Sequence, residues 1–167
     1  APGVMVAEVL SPELKKHEGR TIAAIAAEEG KDPRDVVLDL VRADRANASC
    51  ILSIMDERDV RLALAHPLVS FRTDSPSKAT DGPLSRETSH PRGWGSAARI
   101  LGCYVREQRL ISLEEAVRKM TSYPARIFGL KDRGVIRPRA FADLTIFDPG
   151  RVDDRASFEK PRREAVG

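Results

Sequence analysis

The sequence predicts an α/β fold in which the strands of a parallel sheet alternate with helices. Three short apolar runs rich in Val, Ile and Leu end at polar or turn-forming residues, and they span residues 3–10, 49–54 and 68–73. Stretches with helical periodicity separate these runs. Strands that alternate with helices are typical of βα units, whose strands pair in parallel. With 167 residues, the chain is long enough for one ordinary compact domain.

Two helices are predicted between the first two strands. The first spans residues 21–29 and ends at Gly30, because glycine readily adopts the left-handed conformation that stops a helix. The second begins after Asp32, whose side chain can cap the free backbone amides of a first turn, and it extends to Arg45. Pro33 suits the first helical position, where its missing N–H costs nothing.

A third helix is predicted between the second and third strands. Asp56 serves as its N-cap, and the helix stops at His66, because a residue before proline avoids the helical conformation. The strand at residues 68–73 then leads into a long loop. This loop, residues 74–95, is rich in Ser, Pro, Gly, Thr and charge and has no periodic apolar pattern.

The remainder of the chain is predicted to be helical first and extended afterwards. The expected helices span residues 96–108, 112–120 and 123–129, and the second of them opens with a Ser-Leu-Glu-Glu capping box. Two short strands are expected at residues 135–136 and 142–147. The tail from Arg151 onward is polar and is expected to be irregular.

The composition argues against several classes of function. The chain has 28 Lys and Arg against 25 Asp and Glu, and a net charge of +3 gives no reason to expect a nucleic-acid partner. No apolar run approaches the ~18 residues of a membrane span, so no membrane partner is expected. Cys50 and Cys103 lie in apolar surroundings without a CxxC spacing and are expected to be reduced core cysteines. A cytoplasmic protein is therefore predicted.

Asp74 is a candidate catalytic residue. It directly follows the predicted strand at residues 68–73, and in parallel βα folds reactive groups lie where strands end and loops begin. A carboxylate in that place can ligate a metal ion, accept a proton and later hand it to a leaving amine. The alternative is that Asp74 only stabilises a turn, because Thr-Asp-Ser-Pro is also good turn chemistry.

The end of the long loop reads HPRGWG and combines an imidazole, a guanidinium and an indole. The planar guanidinium of Arg92 can bind a substrate carboxylate in a bidentate way. The alternative is a loop anchor, in which His90 bonds to the backbone and Trp94 packs under the loop. The two interpretations are equally compatible with the local sequence.

The chain has no histidine pattern that would form a zinc site by itself. HxH and HExxH are absent. His66 is interpreted as a structural residue at a helix end, and His17 as a solvated loop residue. No serine stands in GxSxG and neither cysteine has a base nearby in sequence, so nucleophilic catalysis has no support.

The order of several motifs resembles the distal part of N-acyl-D-amino-acid deacylases, also called D-aminoacylases, which are amidohydrolases. The most specific motifs are TDS at residues 73–75, HPR at 90–92, LGxYVR at 101–106 and ADLTIFDP at 142–149. The resemblance extends from about Val4 to Pro161, which is nearly the whole chain.

The resemblance implies a more specific fold class within α/β. The chain is expected to be the C-terminal part of a metal-dependent TIM-like (β/α) barrel with a short returning β segment. Residues 1–134 would supply the barrel part, and residues 135–167 the β segment of a small domain and an irregular tail.

The resemblance also implies a function, which is hydrolysis of the amide bond of N-acyl-D-amino acids by a zinc-activated water. Asp74 matches the family's general base and acid and is expected to be a metal ligand. Arg92 matches the arginine that grips the substrate carboxylate, and His90 and Ser75 are further substrate-binding candidates. The expected partners are the small-molecule N-acyl-D-amino acid and the rest of the parent protein.

Several residues depart from the pattern of these deacylases. Their HxH pair, bridging cysteine and later histidines have no counterparts here, so zinc is expected only in the complete enzyme and this chain alone is expected to be inactive. Arg72 and Arg139 stand where such proteins usually have glycine. Because Arg72 lies two residues before Asp74, it bears directly on the geometry of the site.

Two interpretations of the function follow. In the first, the chain is a portion of a zinc amidohydrolase, and exposed apolar strand edges are expected because a barrel portion leaves strands unpaired. In the second, the chain is a non-catalytic binding or structural module descended from the deacylases, which folds alone as a monomer and binds no zinc.

Overall fold

The computed structural model describes residues 3–77, 79, 81–82 and 90–167, and these form two compact units. The first unit is built mainly on residues 3–55, and the second mainly on residues 56–76 and 91–157. Much of the predicted loop at residues 74–95, including Pro83 and Leu84, lies outside the described residues.

The first unit packs two helices against a two-stranded sheet. Its elements are β1 (Val4–Glu8), a 3-10 helix (Pro12–His17), α1 (Ile22–Glu29), α2 (Pro33–Ala43) and β2 (Ser49–Leu52). β1 and β2 pair antiparallel, with Val4 opposite Leu52. The parallel pairing that the sequence predicts is therefore wrong for these strands. A single helix between two strands brings the chain back so that the second strand runs parallel to the first. Here α1 and α2 both lie between β1 and β2, and the second helix reverses the chain once more, so the two strands run antiparallel.

The helix signals of the first unit are confirmed. The hydroxyl of Thr21 accepts a hydrogen bond from the Ala24 amide, and α1 ends at Gly30 with a φ of 63°. The Asp32 carboxylate accepts from the Arg34 amide at the start of α2. The apolar faces of β1, α1 and α2 meet in one core, whose buried members are Val6, Val9, Ile22, Ile25, Ala26, Val36 and Leu40.

Asp44 is a buried carboxylate that the sequence pattern does not reveal. Only 1% of it is exposed. Its two oxygens accept hydrogen bonds from the backbone amides of Leu10 at 3.0 Å and Ser11 at 2.7 Å, so it joins the end of α2 to the loop after β1. Burial acts to raise the pKa of Asp44, but the hydrogen bonds from Ser11 and Leu10 outweigh burial and lower it below 3.8.

We expect the Asp44→Asn variant to lose part of the acid sensitivity of the first unit. A carboxyl whose folded pKa is lowered stabilises the fold above its unfolded pKa, and this contribution disappears as the pH falls through the folded pKa. The original protein should therefore lose stability below about pH 3.8 more steeply than the variant. Amide exchange of residues 9–11 followed from pH 6 to pH 2 measures the difference, and parallel pH profiles would contradict the assignment.

The second unit is mainly helical. Its elements are α3 (Glu57–Ala65), α4 (Arg92–Arg99), a π-helical segment (Ile100–Glu107) that continues α4, α5 (Leu113–Met120) and α6 (Ser122–Ile127). The predicted caps are confirmed, because the Asp56 carboxylate accepts from the Arg58 amide and the Ser112 hydroxyl from the Glu115 amide. Its buried core residues are Ala98, Ile100, Leu101, Tyr104, Ala116 and Val152.

Three predicted strands are absent from the described part of the chain. Residues 68–73, 135–136 and 142–147 are not in a sheet, so the described residues form no parallel α/β sheet. Several of their apolar side chains are exposed, Ile136 to 92% and Ile146 to 96%, whereas Phe71 and Phe147 pack against the core of the second unit. A strand needs a neighbour for its backbone N–H and C=O groups, and these segments have none among the described residues. The unpaired strand edges expected of a barrel portion stay a prediction, because these segments form no strands.

The cysteine prediction is correct only in part. Cys50 and Cys103 are both free thiols. Cys50 is exposed on β2, however, so its assignment to the core is wrong, because three of the four residues of this strand are exposed. Cys103 is half-buried, and its sulfur lies 3.1 Å from Nε2 of Gln108.

Among the described residues, no helix combines the length and the apolar character needed to cross a membrane.

Candidate active site

Asp74 follows an extended segment and takes an unusual backbone conformation. Its φ is 49°, in the left-handed region that few residue types other than glycine adopt. Aspartate is one of the residue types that tolerates this region, because its short side chain can bond locally. The side chain is 62% exposed, so its carboxylate is accessible to a ligand.

The Asp74 carboxylate lies between two guanidinium groups. Nη2 of Arg72 is 2.6 Å from Oδ1 of Asp74, and Nη2 of Arg92 is 3.3 Å from Oδ2. Arg72 reaches the carboxylate from two residues earlier in the same irregular segment. Arg92 reaches it from the first residue of α4. The structure thus brings two of the predicted site residues together and adds Arg72, the residue that departs from the deacylase pattern.

The other two predicted substrate-binding residues are engaged elsewhere. The hydroxyl of Ser75 donates to the carbonyl oxygen of Pro76 at 3.2 Å, which is a local turn contact. His90 belongs to the first unit and packs edge-on against Phe158, with ring centroids 5.1 Å apart. This ring contact agrees with the anchoring alternative for His90, and the substrate-binding roles of both residues remain predictions.

The glycine that ends HPRGWG is required by close packing. Gly95 is buried, and a β-carbon there would collide with the carboxylate of Asp154. Oδ1 of Asp154 also accepts a hydrogen bond from the Ala156 amide at 2.8 Å. Trp94 is half-buried, and its Nε1 has no hydrogen-bond partner among the described residues. The motif HPRGWG at residues 90–95 is therefore in direct contact with the segment DRASF at residues 154–158.

Lys119 is a buried cation that the sequence analysis missed. It has no exposed surface. Its ammonium donates to the carbonyl oxygens of Leu64 and His66, both at 2.5 Å, and lies 5.5 Å from the ring centre of Phe71. Burial lowers the pKa of Lys119. Its position three residues after the buried Ala116 on α5 was the signal that could have revealed it.

Lys119 connects two parts of the chain that support the candidate site. The carbonyl groups of Leu64 and His66 are at the end of α3, where they lack helical partners. The segment that starts at His66 leads directly to Arg72 and Asp74. By bonding to these carbonyls, Lys119 fixes the start of that segment to α5. His66 is therefore structural, as predicted.

The described residues do not fit a zinc ion by themselves. No group of three or more His, Cys, Asp or Glu side chains lies close enough together in the described part of the chain to hold a metal. The carboxylate of Asp74 can supply one ligand, but two guanidiniums bind it here.

His17, predicted to be solvated, is 94% buried with Nδ1 unpartnered among the described residues, because the 3-10 helix turns it inward.

A cavity of about 510 Å³ lies elsewhere in the second unit. Its lining comes from residues 118–137 along α5, α6 and the segment after them, and it does not include Asp74. Most of its charged lining residues are basic, but several are paired, as Arg118 is with Glu115 and Arg137 with Asp132. The candidate site is therefore the exposed cluster at Asp74 and not this cavity.

Comparison with known proteins identifies the family. Residues 10–167 match the model of the amidohydrolase family. The chain belongs to this family. Among curated proteins, the amidohydrolase chain is 42% identical over 156 residues to a D-aminoacylase from Alcaligenes xylosoxydans xylosoxydans. It is 40% identical over 151 residues to an N-acyl-D-glutamate deacylase from the same organism. These matches cover 93% and 89% of this chain.

Solved structures give the same result. The amidohydrolase chain superimposes with a TM-score of 0.85 and 38% identity on an N-acyl-D-glutamate deacylase from Bordetella bronchiseptica complexed with zinc and a phosphonate inhibitor. It matches a D-aminoacylase structure with a TM-score of 0.83 and 38% identity. The alignments cover 99% and 98% of this chain but only 32% of each structure. The chain spans 29% of the D-aminoacylase and 28% of the glutamate deacylase that it matches in sequence. The resemblance to D-aminoacylases is confirmed.

Proposed function

We propose that the complete protein is a zinc-dependent hydrolase of N-acyl-D-amino acids and that this amidohydrolase chain supplies the aspartate and arginine part of its active site. The observation that carries the proposal is the contact between Asp74 and Arg92. Two residues that are 18 positions apart in sequence meet at 3.3 Å, in a chain 42% identical to a D-aminoacylase.

The chemistry of amide hydrolysis assigns a role to each residue. Water adds to the amide carbonyl, and the C–N bond breaks to release a carboxylate and an amine. Asp74 accepts a proton from the attacking water and delivers it to the departing nitrogen. Arg92 binds the carboxylate of the substrate and thereby orients its amide toward Asp74. Ser75 adds a polar contact to the substrate.

Zinc supplies an activated water at neutral pH when the complete protein binds it, because the metal lowers the pKa of bound water. Asp74 is the one residue of this chain that we propose as a ligand. The remaining ligands belong to other parts of the parent protein, since the described residues form no metal cluster. The zinc complex of the Bordetella bronchiseptica deacylase supports this proposal.

We further propose that residues 1–134 complete a TIM-like (β/α) barrel with the rest of the parent protein and that residues 135–167 return to a small β domain. The support is the exposure of Ile136 and Ile146, which lie in extended segments without a strand partner among the described residues. An exposed free thiol at Cys50 favours a reducing, cytoplasmic compartment.

A direct test measures zinc and turnover on the same sample of the complete protein. We expect stoichiometric zinc and release of free amino acid from N-acetyl-D-methionine or N-acetyl-D-glutamate. The L-enantiomers serve as matched control substrates and should react at least tenfold more slowly, because an L-substrate with its carboxylate on Arg92 and its amide at Asp74 directs its side chain to the opposite side. Bound zinc without turnover of any N-acyl amino acid would contradict the proposed activity.

One observation favours a different function. Arg72 occupies Oδ1 of Asp74 at 2.6 Å, and deacylases usually have glycine in its place. A carboxylate held in this way suits a non-catalytic module that has kept the deacylase fold. The same measurement separates the two proposals, since such a module would show neither zinc nor turnover.

A further inference from the structure

We infer that Arg72 selects N-acyl-D-amino acids that carry a second carboxylate, that is, derivatives of the acidic amino acids. This inference rests on the proposed function. Neither the family nor the similarity to relatives determines it, because the chain is 42% identical to a D-aminoacylase, 40% to a D-glutamate deacylase and 38% to a D-aspartate deacylase.

The first step concerns the balance of charge in the cluster. Two guanidiniums, those of Arg72 and Arg92, share the single carboxylate of Asp74. Both guanidiniums therefore face the same carboxylate, one at each oxygen. A substrate with one carboxylate satisfies Arg92 and leaves Arg72 on Asp74, whereas a substrate with two carboxylates satisfies both arginines.

The second step concerns the distance between the two arginines. Both Nη2 atoms contact oxygens of the same carboxylate, at 2.6 Å and 3.3 Å, so the two cationic groups are separated by little more than one carboxylate. Aspartate and glutamate carry two carboxylates joined by only two or three carbon atoms. Their derivatives are short enough to place one carboxylate on each guanidinium, each as a charge-assisted hydrogen bond.

The third step concerns the availability of Asp74. Arg72 is 79% exposed and is held to the site by its contact with Oδ1 of Asp74, so it can turn toward a ligand in solvent. When the second carboxylate of the substrate binds Arg72, this arginine leaves Oδ1 of Asp74, which becomes available for proton transfer. An acidic substrate thus binds more tightly and also frees the catalytic carboxylate, so that the preference should appear in both KM and kcat.

The experiment compares substrates and variants in the complete protein. The kcat/KM for N-acetyl-D-glutamate and N-acetyl-D-aspartate is divided by that for N-acetyl-D-methionine. We expect the original protein to favour the acidic substrates and Arg72→Gly to lower this ratio at least tenfold. Arg72→Lys should keep part of the preference, because it keeps the charge and loses the planar fork.

Arg139→Gly is a matched control. Arg139 is also an exposed arginine where deacylases usually have glycine, and its φ of 69° suits glycine. The substrate ratio should not change in this variant. As a readout independent of turnover, glutarate should bind the original protein more tightly than butyrate does, and Arg72→Gly should remove that difference.

The outcomes separate this inference from the proposed function. Turnover with an unchanged substrate ratio in Arg72→Gly would overturn the role of Arg72 and leave the deacylase activity intact. Gain of activity on N-acetyl-D-methionine in Arg72→Gly, from an inactive original protein, would show Arg72 to be inhibitory and would also overturn it. Absence of turnover in all variants would reject the deacylase activity itself, and the glutarate measurement would then report on Arg72 alone.

Discussion

Replacing Asp74 by asparagine in the complete protein is expected to lower kcat for N-acyl-D-amino acid hydrolysis about a thousandfold, since general acid–base catalysis contributes roughly 10²–10⁴. Asparagine has nearly the same shape, but its single acceptor oxygen can keep only one of the two arginines as a partner, and its amide nitrogen faces the other. Unlike aspartate, asparagine cannot accept a proton from the attacking water and return it to the leaving amine. KM should change little, because we assign the substrate carboxylate to Arg92.

The control for this substitution is Asp132→Asn. Asp132 also has a positive φ, 59°, is about half exposed and forms an ion pair with an arginine, Arg137. It therefore reproduces the backbone strain and the lost charge of the Asp74 variant without touching the candidate site. We expect its kcat to stay within twofold of the original. A loss of less than tenfold in kcat in Asp74→Asn would show that Asp74 stabilises a turn and does not transfer the proton.

Replacing Lys119 by methionine is expected to lower the free energy of unfolding by about 1–3 kcal/mol, the cost of one buried carbonyl left without a donor. The Leu64 carbonyl loses its donor, whereas the His66 carbonyl keeps the Val69 amide. Methionine keeps most of the aliphatic stem and so creates little cavity. What it removes is the ammonium that bonds to Leu64 and His66. The end of α3 should then open first, because the Leu64 carbonyl loses its donor and the His66 carbonyl loses one of two.

The measurement is the urea midpoint of the complete protein together with amide exchange of residues 57–74. Exchange should accelerate in that segment before it does in α1 or α2. Lys131→Met is the matched control, because Lys131 is an exposed lysine of the same unit, and surface substitutions usually stay within about 0.5 kcal/mol. Equal midpoints for the two variants would show that Lys119 does not hold the segment.

The stability of the segment also bears on the activity. Because Lys119 fixes the start of the chain that leads to Arg72 and Asp74, its replacement should reduce kcat as well. Lys119 is a positioning residue and does not contact the candidate site itself. Its effect should therefore be similar for acidic and neutral substrates, whereas the effect of Arg72 should depend on the substrate.

The sequence by itself determined the helices, their caps and the family. The sequence identified Asp32, Asp56 and Ser112 as N-caps, and all three accept the expected backbone hydrogen bond. It did not identify Thr21, whose hydroxyl caps α1. A cap is a hydrogen bond between a side chain and a backbone amide two or three residues later, so a short stretch of sequence is enough to predict it. The ordered motifs around Asp74 and Arg92 likewise identified the deacylase resemblance.

The tertiary structure alone decided strand pairing, burial and the environment of the reactive carboxylate. The antiparallel pairing of β1 with β2 and the unpaired segments at residues 68–73 and 142–147 depend on which strands lie beside them. The burial of Lys119 on backbone carbonyls and the contact of Asp74 with Arg92 join residues far apart in sequence. Local patterns record the preferences of single segments, and long-range contacts arise only when several segments pack together.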